Sequence, residues 1–374
     1  MRKEICILAP VHPYNDVRVF QKEAKTLCEN GYKVTLFARV DKDVTIDGIQ
    51  IKKVPKYKRR FQRFLYQPIL FLKALKTNSD VYHLHNPDTL LMGFLLKAIG
   101  KKVIYDTHED FSKRILMREW IPLRLRKIVA IMVEYLEKKA AQYFDACIVT
   151  QPQLKDKMGP KTILIENAPV LENTLTKSAY DLANNIEKEK NLIRLIYVGG
   201  ISKNRGIKET ILVLENVNKQ IPCRLWLIGP CFEEGFLQEL QKMDGWKYVD
   251  YLGQLSQDRA FAYMISSDIG IVTILDVGDH ATTSPNKLHE YQRFGLPFIA
   301  SNFKQWIKKV GKTQSGVFVN PSDIDEISKC VINLAKDEKL RKFMKKNGQQ
   351  YIFNEFNWNI ESKKLIELYN KLIS

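Results

Sequence analysis

The sequence predicts an α/β fold built from two doubly wound parallel sheets. Three observations carry this prediction. Short β-rich apolar runs alternate with amphipathic, helix-length segments along nearly the whole chain. The length of 374 residues suits two domains better than one, and the alternation lapses only once, in a polar stretch near residues 170–190. Alternating strands and helices are typical of parallel sheets that helices cover on both faces.

Seven strands are predicted in the first half, where short apolar runs lie between polar turns. They cover residues 5–10, 33–39, 49–54, 81–86, 102–108, 146–151 and 162–168. The helix after the first strand is expected to begin near Asp16, a residue type that suits an N-cap, and to stop at Gly31.

Six strands are predicted in the second half. They cover residues 193–200, 223–229, 247–253, 269–274, 297–301 and 316–320. Residues 171–191 are predicted to link a first domain, 1–170, to a second, 192–356. No strand follows the helical end of the chain, so we expect the terminal helix, 357–374, to pack on a part that is already built.

The composition excludes several classes of protein. With 45% hydrophobic and 27% charged residues, the chain is neither disordered nor fibrous. No apolar run approaches the ~18–20 residues that cross a bilayer, and the N-terminal apolar stretch is too short for a signal peptide. The six cysteines form no CxxC pair and no zinc spacing, so we expect buried free thiols and a cytoplasmic protein.

The positive charge is unevenly distributed. The chain has 59 Lys and Arg against 42 Asp and Glu, and residues 51–139 alone hold 20 basic and 8 acidic side chains. In segment 52–76 basic residues alternate with aromatic and aliphatic ones, which favours peripheral contact with an anionic inner membrane face. A solvated helix face accounts for the same pattern equally well. No recognition motif accompanies the charge, so we expect no nucleic-acid partner.

Polar residues follow the predicted strands of the first half. In open α/β sheets, ligands bind beyond these carboxyl ends. An imidazole there can orient or deprotonate a hydroxyl, although a purely structural histidine is the alternative. A metal site is least favoured because no two histidines lie at helical spacing, as they do in HExxH. The candidate residues are Val11, His12, Asn15, His85, Asn86 and His108.

The second half offers the parts of a diphosphate cradle. Gly199 and Gly200 permit close approach of the backbone, Lys203 and Arg205 supply cations, and a helix is expected to begin near Gly206. A plain β-to-α turn with exposed charges is the alternative interpretation.

A second polar stretch precedes the strand at 297–301. Ser284 and Pro285 suit the N-cap and first position of a helix, which places Asn286 and Glu290 on one face. Lys287 can meet phosphate there, and a carboxylate can accept hydrogen bonds from the vicinal hydroxyls of a ribose. A simple Lys–Glu helix pair is the alternative.

In their order and spacing these segments resemble the retaining, nucleotide-sugar-dependent glycosyltransferases of family 4, of the group 1 type. The resemblance covers almost the whole chain, and it implies the GT-B fold, with two Rossmann-like domains facing each other across a cleft and a terminal helix that crosses back to the N-terminal domain. The segments that carry it are HPYNDVRVFQKEAKTLCENGYKVTLFAR, DVYHLHNPDTLLMGFLLK, KKVIYDTHED, YVGGISKNRGIKETI, SPNKLHEYQRFGLPFIAS, SGVFVNPSDIDEI and FNWNIESKKLIELY.

The resemblance also implies roles for residues. Glu290 would bind the donor ribose, Arg205 the donor diphosphate and His108 the transferred sugar, and these three are the predicted catalytic residues. The loop 11–15 would line the reaction centre. His85 and Asn86 join this predicted acceptor or reaction-centre group because they lie at the end of a strand. The predicted donor-binding residues are Gly199, Gly200, Lys203, Arg205, Ser284, Asn286, Lys287, Leu288 and Glu290.

Two positions depart from the family pattern. Members often have a second glutamate eight positions before the one matching Glu290, where this chain has Thr282. Many also have an arginine where this chain has Gly200. We hypothesise that Lys203 or Lys287 replaces that missing charge.

The sequence therefore predicts a metal-independent hexosyltransferase without a cofactor, which uses a UDP-sugar or GDP-sugar donor. The expected acceptor is a hydroxyl of a lipid-linked or cell-surface glycan intermediate. Asp323 and Asp325 are interpreted as helix N-terminal acids and not as metal ligands. The alternatives are a nucleotide-sugar epimerase of the GT-B fold and a non-catalytic basic protein that binds membranes or nucleic acid.

Overall fold

The computed structural model describes residues 2–57, 62–118, 120–171, 174–283 and 285–373. The chain forms two compact units. The first comprises Met1–Asn167 together with Trp358–Ser374, and the second comprises Ala168–Asn357. The terminal helix thus belongs to the first unit.

The described strands of the first unit form one eight-stranded sheet. Their bounds are β1 Glu4–Pro13, β2 Lys33–Arg39, β3 Val44–Ile46, β4 Ile49–Val54, β5 Val81–His85, β6 Lys102–Thr107, β7 Ala146–Val149 and β8 Thr162–Leu164. The order is β3-β4-β2-β1-β5-β6-β7-β8, and every pair is parallel except β3 with β4.

The small β3 strand is absent from the sequence prediction. Its three residues follow a charged segment and are too few to show periodicity. Asp47 and Gly48, which both have positive φ, form the tight turn that folds β3 back on β4. Because Asp-Gly is a strong hairpin signal, this pair could have revealed the strand.

Helices cover both faces of the first sheet. They are α1 Lys25–Glu29, α2 Gln62–Leu65, α3 Gln67–Leu75, α4 Leu90–Ala98, α5 Phe111–Leu116, α6 Leu123–Tyr143 and α7 Pro152–Met158, and near the chain end α16 Trp358–Ile373. A π-helix, Val17–Ala24, precedes α1 and is capped by Asp16, as expected. Gly31, with φ 87°, follows the end of α1 at the predicted position.

The second unit contains a six-stranded parallel sheet. Its strands are β9 Ile193–Val198, β10 Cys223–Ile228, β11 Val249–Gly253, β12 Ile269–Val272, β13 Phe298–Ser301 and β14 Gly316–Val319. They lie in the order β11-β10-β9-β12-β13-β14. All six were predicted, although most end one or two residues earlier than the apolar run suggested.

The helices of the second unit differ from the prediction at one place. The polar stretch 171–191, predicted as a linker, lies within this unit and carries a helix, Thr174–Ala183, that packs against Gln257–Ser266. The helices are α8 Thr174–Ala183, α9 Ile207–Val217, α10 Phe236–Gln241, α11 Gln257–Ser266, α12 Asn286–Phe294, α13 Lys304–Val310, α14 Ile324–Lys336 and α15 Glu338–Asn354.

The central strands of both sheets are buried on both faces, as their unbroken apolar runs require. In β1, residues Ile5–Ala9 have no exposed surface, and in β9 the same holds for Leu195 and Ile196. All six cysteines are free thiols, and three of them are fully buried. Within the described residues, no helix combines the length and apolar character that a membrane span needs.

Candidate functional site

The first candidate cluster lies where strand order reverses in the first sheet. β1 lies between β2 and β5, and β5 pairs with β6, so the carboxyl ends of β1, β5 and β6 are adjacent. A ligand site is expected at such a switch point. The structure brings together there the predicted residues His12, His85, Asn86 and His108.

Three of these residues reach the surface. His12 accepts or donates at both ring nitrogens, with Nδ1 3.0 Å from Asp16 and Nε2 2.7 Å from the amide of Asn86. Asn86 has φ 71° and ψ 152°, a conformation that non-glycine residues rarely adopt. The rings of His12 and His108 lie 5.7 Å apart. Such local strain is typical of functional sites, and here it aims the Asn86 amide at His12.

His85 differs from its prediction as a residue facing the reaction centre. It has no exposed surface and stacks on His83 at 4.6 Å, because alternate residues of a strand share one face. Its Nδ1 lies 3.1 Å from Nε2 of His108. His85 therefore helps to hold His108 in place through this contact. Because it is buried, it does not itself contact a ligand.

An ion cluster under the histidines anchors them. Arg18 places its Nε 2.9 Å from Glu23 and its Nη2 2.9 Å from Asp106, and all three side chains are buried. Arg18 and Glu23 are five residues apart, and the π-helix brings residues at this spacing to one side. The cluster links the helix after β1 to the end of β6.

The two carboxyl groups of this cluster differ in ionisation. Burial raises the pKa of Glu23 well above its ordinary value despite Arg18, and the charge of Asp106 adds to this shift. Burial opposes ionisation of Asp106 as well, but Arg18 outweighs it and holds the pKa of Asp106 well below its ordinary value. Arg18 thus favours the carboxylate form of Asp106, whereas burial disfavours the carboxylate form of Glu23.

These charges fix the orientation of His108. Oδ1 of the Asp106 carboxylate lies 3.2 Å from Nε2 of His108, which therefore carries the proton. Burial lowers the pKa of His108 although Asp106 opposes the shift, so the ring is neutral near neutral pH. Thr150 also holds the backbone carbonyl of His108, at 2.7 Å. His108 consequently presents Nδ1 as an acceptor.

The terminal helix completes this network. Tyr369 in α16 is fully buried, and its hydroxyl lies 2.8 Å from Nδ1 of His83. Nε2 of His83 approaches Asp106 to 3.6 Å. The terminal helix thereby contributes a side chain to the support of His108 within the first unit.

The same cluster satisfies the geometric requirement for a metal site. Ligand atoms of Glu23, His83, His85 and Asp106 lie within 4.8 Å of one another, and all four residues are buried. However, Arg18 contacts both carboxyl groups. A divalent ion would face this guanidinium in a buried place, where like charges repel strongly. The residues therefore fit a protein cation better than a metal ion.

The remaining polar residues after β6 have structural roles. Asp110 caps α5 and lies 2.9 Å from Lys157, and Glu109 pairs with Arg114 at 2.7 Å. Glu137 of α6 is buried and accepts hydrogen bonds from Tyr105 and Thr107. In the first loop, Val11 is half-buried and Asn15 is exposed.

The second cluster lies at the switch point of the second sheet, between β9 and β12. The chain leaves β9 at Gly199, turns through residues Lys203–Arg205 and enters α9 after Gly206. Gly206 has φ 70°, and a Cβ there would lie 1.8 Å from the carbonyl oxygen of Thr273. Only glycine fits this position, which brings the Arg205 turn against the end of β12.

Lys287 brings the two predicted donor-binding segments together. A Cβ on Gly199 would lie 2.5 Å from Nζ of Lys287, and this ammonium is 5.6 Å from the centre of the Tyr197 ring. Burial lowers the pKa of Lys287 to about 8, and the charge of Arg205 contributes, while Glu290 opposes the shift. The three charged side chains therefore interact across one small area.

The other predicted donor-binding residues are placed differently. Lys203 and Asn286 are exposed, and Gly200 is half-buried with no atom within 4 Å of a Cβ built on it. The Leu288 side chain lies in the hydrophobic core, so it offers no side-chain contact to a donor. The N-cap of α12 is Pro285, one residue later than expected, and Ser284 lies outside the described residues.

Sequence reasoning missed the buried support of the first cluster. Arg18, Glu23, Asp106, His83 and Tyr369 received no role. Asp106 offered the clearest signal, since a carboxylate inside an apolar strand must have a partner. The partner could not be identified, because Arg18 is 88 residues away and the π-helix that orients it leaves no sequence pattern.

Two family models match the chain. The model for glycosyl transferases group 1 matches residues 181–351, and the model for glycosyltransferase family 4 matches residues 17–161. The first match contains the second cluster. The second match contains the first cluster except for His12 and Asp16, which precede it by a few residues, and Tyr369 of the terminal helix.

Curated relatives agree with these matches. CapM of Staphylococcus aureus, a capsular polysaccharide biosynthesis glycosyltransferase, is 26% identical over 64% of this chain and 66% of its own length. A glycosyltransferase of Methanocaldococcus jannaschii is 25% identical over 50% of this chain and 47% of its own length. The chain therefore aligns with about half to two thirds of these relatives.

A solved structure shows the same fold over nearly the full length. The sucrose-phosphate synthase of Thermosynechococcus elongatus superposes with a TM-score of 0.76 at 19% identity and covers 99% of both chains. The likeness confirms the predicted arrangement of two α/β units in one chain. The family matches and this likeness together show that the chain belongs to the group 1, family 4 glycosyltransferases and has their GT-B fold.

Proposed function

We propose that this chain is a retaining glycosyltransferase that moves a hexose from a UDP-sugar or GDP-sugar to a hydroxyl acceptor. One observation carries the proposal: Arg205, Lys287 and Glu290 interact at the carboxyl end of the second sheet beside Gly199. Two cations beside a glycine can bind a diphosphate, and a carboxylate can accept hydrogen bonds from ribose hydroxyls.

Lys287 supplies the charge that an arginine at position 200 gives to other family members. Its ammonium lies directly over Gly199, whereas Lys203 is exposed and its backbone amide bonds to Glu233. The sequence left open whether Lys203 or Lys287 replaces the missing arginine charge, and the geometry favours Lys287. Its lowered pKa indicates an ammonium that is poorly solvated and gains from an anionic ligand.

The departing diphosphate gains negative charge as the glycosidic bond breaks. Arg205 and Lys287 stabilise it as preorganised cations, which needs no divalent metal. Asp323 accepts a hydrogen bond from the backbone of Glu326 and caps α14, so the DxD sequence at 323–325 has a structural use. We expect full activity after EDTA treatment and dialysis, and a strict requirement for Mn²⁺ or Mg²⁺ contradicts this step.

His108 acts on the side of the transferred sugar in this proposal. Its neutral ring offers Nδ1 as an acceptor for a sugar or acceptor hydroxyl, while Asp106 and His85 hold the other nitrogen. Front-face attack assisted by the leaving phosphate needs no enzyme nucleophile. We therefore assign His108 to orientation of the hydroxyl and not to covalent catalysis.

We propose a lipid-linked or cell-surface glycan intermediate as the acceptor, reached at the inner face of the membrane. The name of CapM supports a role in polysaccharide synthesis. Lys53, Lys56, Lys73 and Lys76 of segment 52–76 are exposed, while residues 58–61 of that segment lie outside the described part of the chain. The exposed lysines support contact with anionic lipid.

The test is a screen of UDP-sugars and GDP-sugars against lipid-diphosphate sugars, with products identified by mass spectrometry. The expected result is one transferred hexose with the anomeric configuration of the donor, assigned by NMR. Inversion of that configuration refutes the retaining assignment. Epimerised sugar from donor alone, without transfer to any acceptor, favours the epimerase alternative.

A further inference from the structure

One layer of helices in the first unit has an unusually apolar outer side. α3, α4, α6 and α7 cover the same face of the sheet, and their inward residues, such as Leu70, Leu96, Ala140 and Leu154, form one core cluster with the strands. Adjacent pairs in this layer contact each other, α3 with α4, α4 with α6 and α6 with α7. Their outward residues therefore lie on a common side of the unit.

The apolar surface is most regular on α6. Ile128, Ile131, Met132 and Tyr135 recur at intervals of three and four residues, which places them along one stripe of the helix. Ile128 and Ile131 are 63% and 61% exposed. At the start of the helix Leu123 is 76% exposed. A stripe of this kind is normally buried against another element.

The neighbouring helices extend this surface. Ile69 and Leu72 on α3 are exposed, as are Leu91 and Leu95 on α4 and Ile99 directly after it. These residues also recur every three or four positions. The outer side of the layer is thus apolar on three consecutive helices.

The charges around the stripe are almost all positive. Residues 111–132 contain six basic side chains and one acidic one. Arg124 and Lys127 are exposed beside Ile128, and Nζ of Lys139 lies 5.6 Å from the ring centre of Tyr135. Glu134 is half-buried and paired with Lys138 at 2.8 Å. The surface therefore combines apolar side chains with cations that have few local counter-charges.

This combination favours a bilayer over a second copy of the chain. A two-fold contact brings the same patch of both copies together, so cations would meet cations. Anionic headgroups supply the opposite charge, and the acyl boundary accepts the apolar side chains. The cationic residues at the edge of the stripe can keep their charged ends at the headgroup level.

We propose that the outer side of α6, with the adjoining sides of α3 and α4, inserts into the headgroup region of an anionic membrane. The main membrane contact is then α6, and α3, which belongs to the basic segment 52–76 predicted from sequence, adjoins it through α4. The inference deepens the proposed function because it names the surface at which the enzyme meets a lipid-linked acceptor. The identity of the acceptor rests on the proposed function, whereas the membrane contact does not.

The experiment is flotation of the full chain with vesicles of equal parts phosphatidylcholine and phosphatidylglycerol. The unaltered chain is expected to float at low salt and to bind more weakly at high salt or with pure phosphatidylcholine. Ile128→Ser with Ile131→Ser is expected to weaken binding at least about tenfold. Arg124→Glu with Lys127→Glu is expected to weaken it at least about thirtyfold.

Matched controls come from α15 in the second unit. Phe343 is 50% exposed, and Lys339 and Lys346 are exposed. Phe343→Ser and Lys339→Glu with Lys346→Glu are expected to leave flotation unchanged. Binding of UDP or GDP, measured by thermal shift, is expected to be the same in all variants. Absence of nucleotide binding in the unaltered chain would count against the proposed function and not against the membrane contact.

Three results overturn the inference. The first is that the chain does not float with anionic vesicles at low salt. The second is that the α15 variants weaken flotation as much as the α6 variants. The third is that light scattering shows a dimer that Ile128→Ser with Ile131→Ser dissociates. The last result assigns the surface to a second copy of the chain.

Discussion

The proposed role of Lys287 in binding the donor diphosphate predicts a measurable pH dependence of donor binding. Burial, together with the charge of Arg205, lowers the pKa of this group to about 8 in the free protein. A bound diphosphate stabilises the charged form and raises that pKa again. Donor affinity is therefore full below about pH 8 and falls as the pH rises through this value.

The size of the effect follows from the pKa. With a value of about 8, about nine tenths of the ammonium is charged at about pH 7 and about one tenth at about pH 9. We expect the dissociation constant of the intact nucleotide sugar to rise about tenfold over this range, or ~1.4 kcal/mol. Isothermal titration calorimetry at several pH values measures it directly.

Three variants separate Lys287 from other groups. Lys287→Arg keeps its charge at all these pH values, so its affinity is expected to stay flat, and Lys287→Met is expected to bind weakly at every pH. Lys203→Ala, in the exposed turn between β9 and α9, is expected to keep the tenfold fall. A fall of equal size in Lys287→Arg, or a flat profile in the unaltered chain, refutes the reasoning.

Three further predictions concern stability, each measured by urea unfolding. Gly206→Ala forces a Cβ to within 1.8 Å of the Thr273 carbonyl and is expected to cost at least about 2 kcal/mol, whereas Gly200→Ala, with open space around it, is expected to cost under about 0.5 kcal/mol. Burial raises the pKa of Glu137 from 4.5 to about 7, so its contribution to stability is present below about pH 4.5 and is lost as the pH rises through 7. Compared with Glu137→Gln, the unaltered chain is expected to lose about 3 kcal/mol over that window, and parallel profiles contradict this. Tyr369→Phe removes the hydrogen-bond partner of Nδ1 of buried His83 and is expected to cost about 1–2 kcal/mol, while the same change at half-buried Tyr32, whose hydrogen bond to Asn370 is exposed, is expected to cost under about 0.5 kcal/mol; equal effects contradict a buried network.

Strands and helix ends were predictable because their signals are local. The unbroken apolar run at β1 and the cap at Asp16 depend on neighbouring residues, and both were located from the sequence. His108 was also named, since polar residues after a buried strand indicate a site, and Lys287 was named from its place at the start of a helix.

The support for those residues was not predictable, because it depends on contacts between distant parts of the chain. Arg18 reaches Asp106 only through a π-helix, and Tyr369 reaches His83 from the last helix. The preference for Lys287 over Lys203 likewise required the distance between α12 and Gly199. The exposed side of the apolar residues on α6 was not predictable either, since periodicity does not say which face of a helix is covered.

The central claim is that the second unit holds the nucleotide diphosphate while His108 of the first unit serves the transferred sugar. The most direct measurement compares donor dissociation constants and single-turnover rates for Arg205→Ala, Glu290→Gln and His108→Ala. The account predicts weak donor binding in the first two variants, and near-normal binding with turnover reduced at least about a hundredfold in the third. Normal donor binding in both Arg205→Ala and Glu290→Gln, or undiminished turnover in His108→Ala, contradicts it.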